Sequence, residues 1–355
     1  MGRESITAAY RKRVWKKAVY FAAAACGLLV LAAASCCLGI ADVTPGRLLA
    51  TYVPGAEKLL SAAPLNEREK SILLMLRLPR VVSAMAAGAG LGTAGAAMQA
   101  ITGNQMASPF TTGLSGAAAL GAAAVIVFGG VSPFMAKTAT VAAAFFMALV
   151  CAIAVFGIAN FKGMGQEALV LTGIALNYLF SALNSTMQFI ANEEQLPAIV
   201  HWSFGSLNSV GWSDIVVMGL CLAGTFPVFC SQGWAFNLMA AGGDETARAL
   251  GVNTRRVRLA AGAAITLATA GMVSFTGVIG FVGLAAPHGA RLLLGGDYRQ
   301  VIPFSFLIGA ALVLAADTLG RTVFSPVTIP VGIVVSYVGV PLFLFLILKE
   351  RRGRL

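Results

Sequence analysis

The chain has 355 residues, enough for two or three soluble domains, but 58% of them are hydrophobic and only 11% are charged. Its mean hydropathy of +0.84 lies far from that of soluble proteins, which excludes a water-soluble enzyme. The net charge of +11 would suggest a nucleic-acid partner in a soluble chain, yet here the basic residues fall mostly at the ends of apolar segments. We therefore expect an all-α, polytopic membrane protein.

Seven stretches contain no Asp, Glu, Lys, Arg or His and are long enough to cross a bilayer, which takes about 20 helical residues. In chain order they are residues 18–41, 81–136, 138–161, 168–192, 215–243, 259–287 and 322–348. The second stretch can hold two crossings, with Pro109 and several glycines to separate them. Further crossings fit 300–324 and the short Gly/Pro-rich stretch 271–294. Ten spans fit the sequence best.

The first apolar run ends near Ala-Ala-Ser-Cys36, which faintly resembles a lipoprotein cleavage site after a basic N-terminus. The run is long for a signal peptide, so we expect a retained first helix. The six cysteines form no CxxC pair and no spacing suited to zinc, and all lie in apolar segments. Their pattern favours packing, and we expect no metal site.

Basic residues precede the first span and follow the last, so the positive-inside rule places both termini in the cytoplasm. We treat 1–355 as a single transmembrane domain with a cytoplasmic basic N-terminus at 1–17, a cytoplasmic loop at 235–256 and a cytoplasmic basic tail at 349–355. Gly and Ala dominate the spans. Such residues favour a compact helical bundle, and close packing around a pathway is the sharper alternative.

Asp317 is the one carboxylate clearly inside a predicted span, and it lies four residues before Arg321. This spacing fits an internal ion pair between Asp317 and Arg321 at least as well as it fits a binding site for a coupling ion. A secondary transporter or channel would depend on Asp317 as such a site. The chain has no GxxxxGK[ST] loop, and His201 and His288 belong to no HExxH array. ATP-driven transport would therefore need a second chain.

The motif Arg77-Leu-Pro-Arg80 stands at the outer end of the second predicted span. Pro79 suits the first turn of a helix, and arginines three residues apart share one side of that turn, which predicts two guanidinium groups facing the outer water. The motif alone favours snorkelling arginines that anchor the helix. The alternative is that they bind carboxylates of a partner.

Two further segments stand out. In the cytoplasmic stretch 242–258, Asp244 and Glu245 suit a helix start and Gly251 suits its C-terminal stop, which describes either an ordinary loop helix or one that seats in a groove of a cytoplasmic protein. The stretches 281–299 and 329–336 repeat Gly and Pro within apolar sequence. They predict broken helices, which a membrane tolerates only against protein or a water-filled cavity, and together they suggest a pathway.

In this order, these features resemble the iron-chelate, haem and vitamin B12 permeases of ABC importers, the FecCD or type II family. The motifs that carry the resemblance are RLPR at 77–80, GAAMQA at 95–100 with Asn104 and ASP at 107–109, WSFGSL at 202–207, GDETARALGVN at 243–253, GFVGLAAPH at 280–288 and IPVGI at 329–333. The match covers nearly the whole chain, so its ordered agreement is more specific than any single motif.

The resemblance implies a permease subunit that translocates a metal chelate, most consistently a ferric siderophore, with haem or cobalamin as alternatives. It implies ten helices, a homodimer, two cytoplasmic ATPase subunits and an external substrate-binding protein, in the inner membrane of a bacterium or archaeon. ATP and Mg²⁺ would sit on the ATPase, so we expect no cofactor and no catalytic residue in this chain.

The resemblance also implies site residues. Those for docking the binding protein are Arg77, Arg80 and Arg321. Those for coupling to the ATPase are Asp244, Glu245, Ala247, Leu250, Gly251 and Val252. Those for the gates and pathway are Asn104, Met106, Gly165, Gln166, Trp202, Gly205 and Ser206. Gln105 replaces the proline usual in the family, so the resemblance does not predict the backbone geometry of that gate loop. Thr328 replaces a common Glu, so the resemblance does not predict the polar contact near the last span.

Overall fold

The structure, a computed structural model, describes residues 3–39, 43–53, 63–130, 132–323 and 327–352. It is 82% helical, and the described residues contain no strand, which confirms the all-α membrane fold class. The tip of the basic C-terminal tail, 353–355, lies outside the described residues.

The α-helices of the described ranges are numbered in chain order. They are α1 (Arg3–Cys37), α2 (Pro45–Tyr52), α3 (Glu67–Ile72), α4 (Leu78–Thr102), α5 (Leu114–Phe128), α6 (Pro133–Phe161), α7 (Gln166–Ile190), α8 (Gln195–Ser203), α9 (Trp212–Ser231), α10 (Gly233–Ala249), α11 (Thr254–Thr276), α12 (Val282–Leu294), α13 (Tyr298–Thr322) and α14 (Val331–Arg352). A π-helical turn, Leu73–Arg77, joins α3 to α4.

Seven helical stretches in the described residues are long and apolar enough to cross a membrane. They lie in α1, in the continuous stretch α3–α4, and in α6, α7, α9, α11 and α13. The shorter helices α5, α12 and α14 correspond, in chain order, to the three remaining predicted crossings. The count of ten crossings and the cytoplasmic side of both termini stay predictions.

Glycines flank the breaks in the two long uncharged runs. The first break contains Pro109, as predicted, whereas the second falls at Gly277, inside the predicted short crossing 271–294. The run 81–136 is divided between the end of α4 at Thr102 and the start of α5 at Leu114, with Gly103 at φ +59° and Gly113 at φ +85° on either side of the connection. The run 259–287 is likewise interrupted between α11 and α12, after Gly277 at φ +68°. Left-handed backbone costs glycine little, so these positions end helices inside apolar sequence.

Pro79 lies in the first turn of α4, as predicted, but the helical stretch does not begin there. Asn66 caps α3 through a reciprocal pair of hydrogen bonds with Glu69, so the helical stretch begins at Glu67 and runs without a stop to Thr102. In the π turn before Pro79, the Leu78 amide donates to the carbonyl of Leu73, five residues back. This wider turn lets the helix continue past a residue that lacks an N–H, and places RLPR inside a helix instead of at its exposed end.

Helix α4 is buried along most of its length and packs directly on α13 through small residues. Gly88 and Gly309 face each other so closely that a Cβ on Gly88 would lie 2.1 Å from the Gly309 carbonyl oxygen. In a lipid environment such close approach supplies the dispersion contacts that hold helices together. The abundance of Gly and Ala therefore serves close helix packing, as the composition predicts.

Adding one methyl group at Gly88 tests this contact. We expect Gly88→Ala to destabilise the bundle by about 1 to 3 kcal/mol, because two backbones must separate to admit the methyl group. The measurement is the melting temperature of the detergent-purified protein. The control is Gly27→Ala in α1, where no heavy atom lies within 4 Å of the added Cβ. Equal melting temperatures for the two variants would contradict the packing argument.

Candidate functional site

Arg77 binds the end of the first helix. It is 7% exposed, and its Nη1 donates to the carbonyl oxygens of Cys36 at 2.8 Å and Cys37 at 3.0 Å. These carbonyls belong to the last turn of α1, where no further helical N–H can reach them and where a cation is favoured. The expectation that the Arg77 guanidinium faces the outer water is wrong, because it is directed into the bundle to satisfy α1.

Arg321, near the C-terminal end of α13, binds the same helix end. Its Nη1 donates to the Leu38 carbonyl at 2.7 Å, and its Nη2 contacts both the carbonyl and the hydroxyl oxygen of Ser35. The Ser35 hydroxyl is also 2.8 Å from that of Thr318. Two arginines from distant parts of the chain thus fix the end of α1 against α4 and α13.

Arg80 and Asp317 form an ion pair between α4 and α13. Nε of Arg80 donates to both carboxylate oxygens at 2.9 Å, and its Nη2 lies 2.8 Å from Oδ1. Asp317 is 2% exposed and is also 3.7 Å from Nε of Arg321. The predicted internal pair of Asp317 with Arg321 is confirmed, while the closer partner, Arg80, was missed because it lies 237 residues away in sequence.

The three arginines that the family resemblance assigns to docking therefore lie close together: Arg77 and Arg321 bind the end of α1, and Arg80 and Arg321 approach the buried Asp317. Arg77, Arg80 and Arg321 with Asp317 carry a formal net charge of +2. All three also hold the chain's own helices. Their docking role stays a prediction, and any substitution there must be read against its effect on packing.

Removing the carboxylate tests the internal role. We expect Asp317→Ala to destabilise the protein by about 3 kcal/mol, because it leaves buried cations without a counter-ion. The double variant Arg80→Ala with Asp317→Ala should regain part of that loss in a thermal unfolding assay. Glu67→Ala is the control: its ion pair with Lys70 is 89% exposed on the Glu side and should contribute less than about 1 kcal/mol. Similar losses for Asp317→Ala and Glu67→Ala would contradict the assignment.

Three interrupted segments, near residues 204–206, 276–278 and 332, meet by their backbones. The Ser206 amide donates to the Thr276 carbonyl at 2.7 Å, and the Gly332 amide donates to the Phe204 carbonyl at 3.1 Å. A Cβ on Gly205, at φ +71°, would lie 2.5 Å from the Val278 carbonyl oxygen. Broken helices satisfy one another's backbone groups at this junction.

A cavity of about 410 Å³ opens beside the junction, between Phe110, Phe204, Ile333 and Tyr337. The pathway role of Gly205 and Ser206 stays a prediction. Trp202 and Ser206 both line a second cavity of about 390 Å³, together with His201 and Thr276. Glycine at 205 is required by both its positive φ and the close carbonyl.

The two predicted gate loops touch each other. The Asn104 side-chain oxygen accepts from the Met106 amide at 2.9 Å, so this loop closes its turn although Gln105 replaces proline. In the other loop, Gly165 precedes the first residue of α7, Gln166, whose side chain lies against Gly103. A Cβ on Gly103 would be 2.7 Å from Oε1 of Gln166. The structure thus brings both loops together at the ends of α4 and α7.

The helix start predicted at Asp244 and the helix stop predicted at Gly251 are both found, within the longer helix α10. Residues 244–251 are called the coupling segment below, after the role that the resemblance implies. Gly243 has non-helical angles (φ 69°, ψ −172°), so a kink divides α10 and a new helical piece begins at Asp244. It ends at Gly251, at φ +86°, where the Val252 amide donates to the Ala247 carbonyl at 2.9 Å. A glycine stop of this kind is typical of helix C-termini.

Half of the predicted coupling residues point inward. Ala247 and Val252 are buried in a small apolar cluster with Met239, so they are not available as surface contacts in this conformation. Asp244 pairs with Arg258 at 2.5 and 2.6 Å. Glu245, Leu250 and Gly251 remain exposed and can meet a partner.

Arg258 is the functional candidate that sequence reasoning missed, because it was grouped with the basic residues of the loop. A signal was present: Thr254, Arg258, Ala261 and Ile265 follow one another at helical spacing, and all four are buried in α11. An arginine on the apolar stripe of a helix is expensive to bury, so it needs several acceptors.

Asp297 caps the start of α13 and ties it to α10. It accepts from Asn237 of α10 at 2.7 Å, and Asn237 accepts from the Tyr298 amide at 2.7 Å. Hydrogen bonds from Arg299 are the largest cause lowering the pKa of Asp297 from 3.8 to about 2. Because the pKa is depressed, this link stabilises the fold above the ordinary pKa and is lost only as the pH falls through about 2.

Comparison with known proteins places this geometry in context. Residues 27–349 match the FecCD transport family. The Fe(3+)-citrate import system permease protein YfmE of Bacillus subtilis is 34% identical over 327 residues, or 92% of this chain and 95% of that protein. The cobalamin import system permease protein BtuC of Halobacterium salinarum is 37% identical over 300 residues, or 82% of this chain and 78% of that protein.

A solved ABC transporter, assigned to the metal-chelate type and in an inward-facing conformation, has the same fold. Its TM-score is 0.80 at 27% identity, and the match covers 92% of this chain and 98% of the solved chain. The likeness therefore extends over nearly the whole chain.

Proposed function

The chain belongs to the FecCD transport family, and from that membership we propose that its cargo is an iron chelate of the ferric-siderophore type. The chain is a multi-pass, membrane-spanning permease subunit of an ABC importer and not an enzyme. It has no nucleotide-binding loop of its own, so separate cytoplasmic ATPase subunits hydrolyse the ATP. The similarity to an iron-citrate permease along 92% of the chain is the observation that carries the iron proposal.

Haem and cobalamin are the alternatives within the family. The test is ATP-dependent uptake into liposomes that contain the permease with its ATPase and its binding protein, offered ferric siderophore, haem or cobalamin at equal concentration. We expect the ferric chelate to accumulate and the others not. Cobalamin uptake instead would overturn the iron proposal, and uptake without the ATPase would favour a secondary transporter.

We propose that two copies of the chain pair with two ATPase subunits and one external binding protein in the cell membrane of a bacterium or archaeon. Pairing is supported by the cavity of about 410 Å³ beside the junction. Its lining residue Tyr337 is 76% exposed in the single chain. A second copy facing this side would enclose the cavity. Cross-linking of the purified complex measures the stoichiometry.

The group formed by Arg77, Arg80, Arg321 and Asp317, called the outer cluster, is proposed to receive acidic side chains of the binding protein. Its net charge of +2 supports this role, since arginine forks suit carboxylates. Because charge reversal at Arg77 or Arg80 would also break the packing of α1 or the Asp317 pair, a milder change separates docking from folding.

Arg80→Lys keeps a cation beside Asp317 but loses the fork. We expect the affinity for the binding protein to fall about tenfold, while assembly with the ATPase is unchanged, because one charge-assisted bidentate contact is weakened. Binding is measured by surface plasmon resonance on the detergent-purified complex. Arg47→Lys, at a comparable outer ion pair with Glu69 at 2.6 Å, is the control. Unchanged binding by Arg80→Lys would count against docking at this residue.

The exposed end of the coupling segment, Leu250 and Gly251, is proposed to contact the ATPase. We expect Gly251→Trp to uncouple ATP hydrolysis from uptake, because a large side chain enters the contact at a left-handed position. Gly251→Asn should transport normally, since asparagine tolerates positive φ with a small side chain. The measurement is uptake per ATP hydrolysed. Normal coupling in Gly251→Trp would show that the contact lies elsewhere.

A further inference from the structure

We infer that Arg258 is a positioning residue that links the coupling segment to both gate loops, so that movement at the ATPase contact reaches the two gates through one guanidinium group. The inference rests on the coupling and gate roles proposed above. It concerns a residue to which neither the motifs nor the family resemblance assigned a role.

The geometry joins three segments at one side chain. Nε of Arg258 donates to the Ile101 carbonyl at 2.9 Å, in the last turn of α4 just before the Asn104 loop. Its Nη1 donates to the Met164 carbonyl at 2.9 Å, in the loop that precedes α7. The same Nη1, together with Nη2, binds the two carboxylate oxygens of Asp244.

Burial makes these contacts hard to exchange. Arg258 has 0% exposure, and Met164 is 1% exposed and held at φ +59°, a conformation that a non-glycine residue rarely adopts. The Ile101 carbonyl belongs to a helix end, where intrahelical donors run out. Breaking any of these bonds would leave a buried polar group without a partner, so α11 and the three segments that Arg258 binds tend to keep their contacts when one of them moves.

The coupling segment itself is attached in a way that directs force to this link. Glycines at 243 and 251, both at positive φ, stand on either side of residues 244–249. Between them, Asp244 makes the ion pair with Arg258, while Ala247 packs on Met239 and Val252. A push on the exposed side of the segment is therefore transmitted through the Asp244 carboxylate and the small apolar cluster.

The chemistry requires arginine. A planar guanidinium presents several N–H groups in fixed directions and stays charged when buried, so it can hold a carboxylate and two carbonyls at once. A lysine ammonium is a single point of charge. It can remain beside Asp244, but it cannot also hold the Ile101 and Met164 carbonyls in the same geometry.

The test uses the complete complex of permease, ATPase and binding protein in liposomes and measures substrate transported per ATP hydrolysed. For Arg258→Lys we expect normal assembly, ATP hydrolysis within about twofold of the unaltered complex, and transport per ATP lowered about tenfold. A purely structural residue would lower the yield of complex and both activities together, and would leave their ratio unchanged.

A second variant covers the case in which Arg258→Lys does not assemble. Asp244→Asn keeps the size of the side chain and leaves Arg258 with its two carbonyl partners, so we expect the complex to form and transport per ATP to fall to a similar extent. The double variant should show no further loss, because both changes cut the same link. The control, Arg256→Lys, alters an exposed arginine on the same helix and should leave the ratio unchanged.

Normal transport per ATP in Asp244→Asn would overturn the link through Arg258. This holds if Arg258→Lys also transports normally per ATP, and it holds if Arg258→Lys does not assemble. Failure of the underlying roles is distinguishable from this result. If Gly251→Trp couples normally, the ATPase contact has been misplaced. If Gly251→Trp uncouples while Asp244→Asn and Arg258→Lys do not, the contact stands and only the transmission through Arg258 is wrong.

Discussion

Helix ends that lie inside the bundle need hydrogen-bond donors, and in this protein buried arginines supply them. A membrane interior offers no water to the last carbonyls of a helix. At one end of α4, predicted to be the outer one, Arg77 and Arg321 bind the carbonyls that finish α1. At its other end, Arg258 binds the carbonyl of Ile101 in the last turn of α4. The residues assigned to partners and to coupling are thus also the residues that complete the fold.

Helix α4 connects the outer cluster with the site of Arg258. Arg80 stands near its start and Ile101 near its end, and at 1.5 Å per residue this interval spans about 32 Å, close to the thickness of the hydrocarbon core. Small residues such as Gly88 allow α13 to approach within backbone contact. The helix that carries the outer cluster is therefore packed as a rigid element along its length, with the predicted gate loop directly after it.

The sequence predicted much of this arrangement, and its errors have identifiable causes. The break around Pro109 and the helix stop at Gly251 were predicted, because proline and positive-φ glycine act on the local backbone. Pro79 does lie in the first turn of α4, but the sequence did not show that the cap at Asn66 and the π turn extend the helical stretch before it. Ala247 was expected on a surface and is buried, because one helical turn does not reveal which face meets the protein.

By itself, the sequence determined the membrane class, the helical content, the dependence on a separate ATPase and the family, since composition, charge spacing and motifs are properties of the linear chain. Only the tertiary structure decided what each charge faces. It paired Arg80 with Asp317 across 237 residues and gathered Asp244, Ile101 and Met164 around Arg258. The physical reason is that a buried charge must find its acceptors among groups that the fold brings near, and sequence distance carries no record of those contacts.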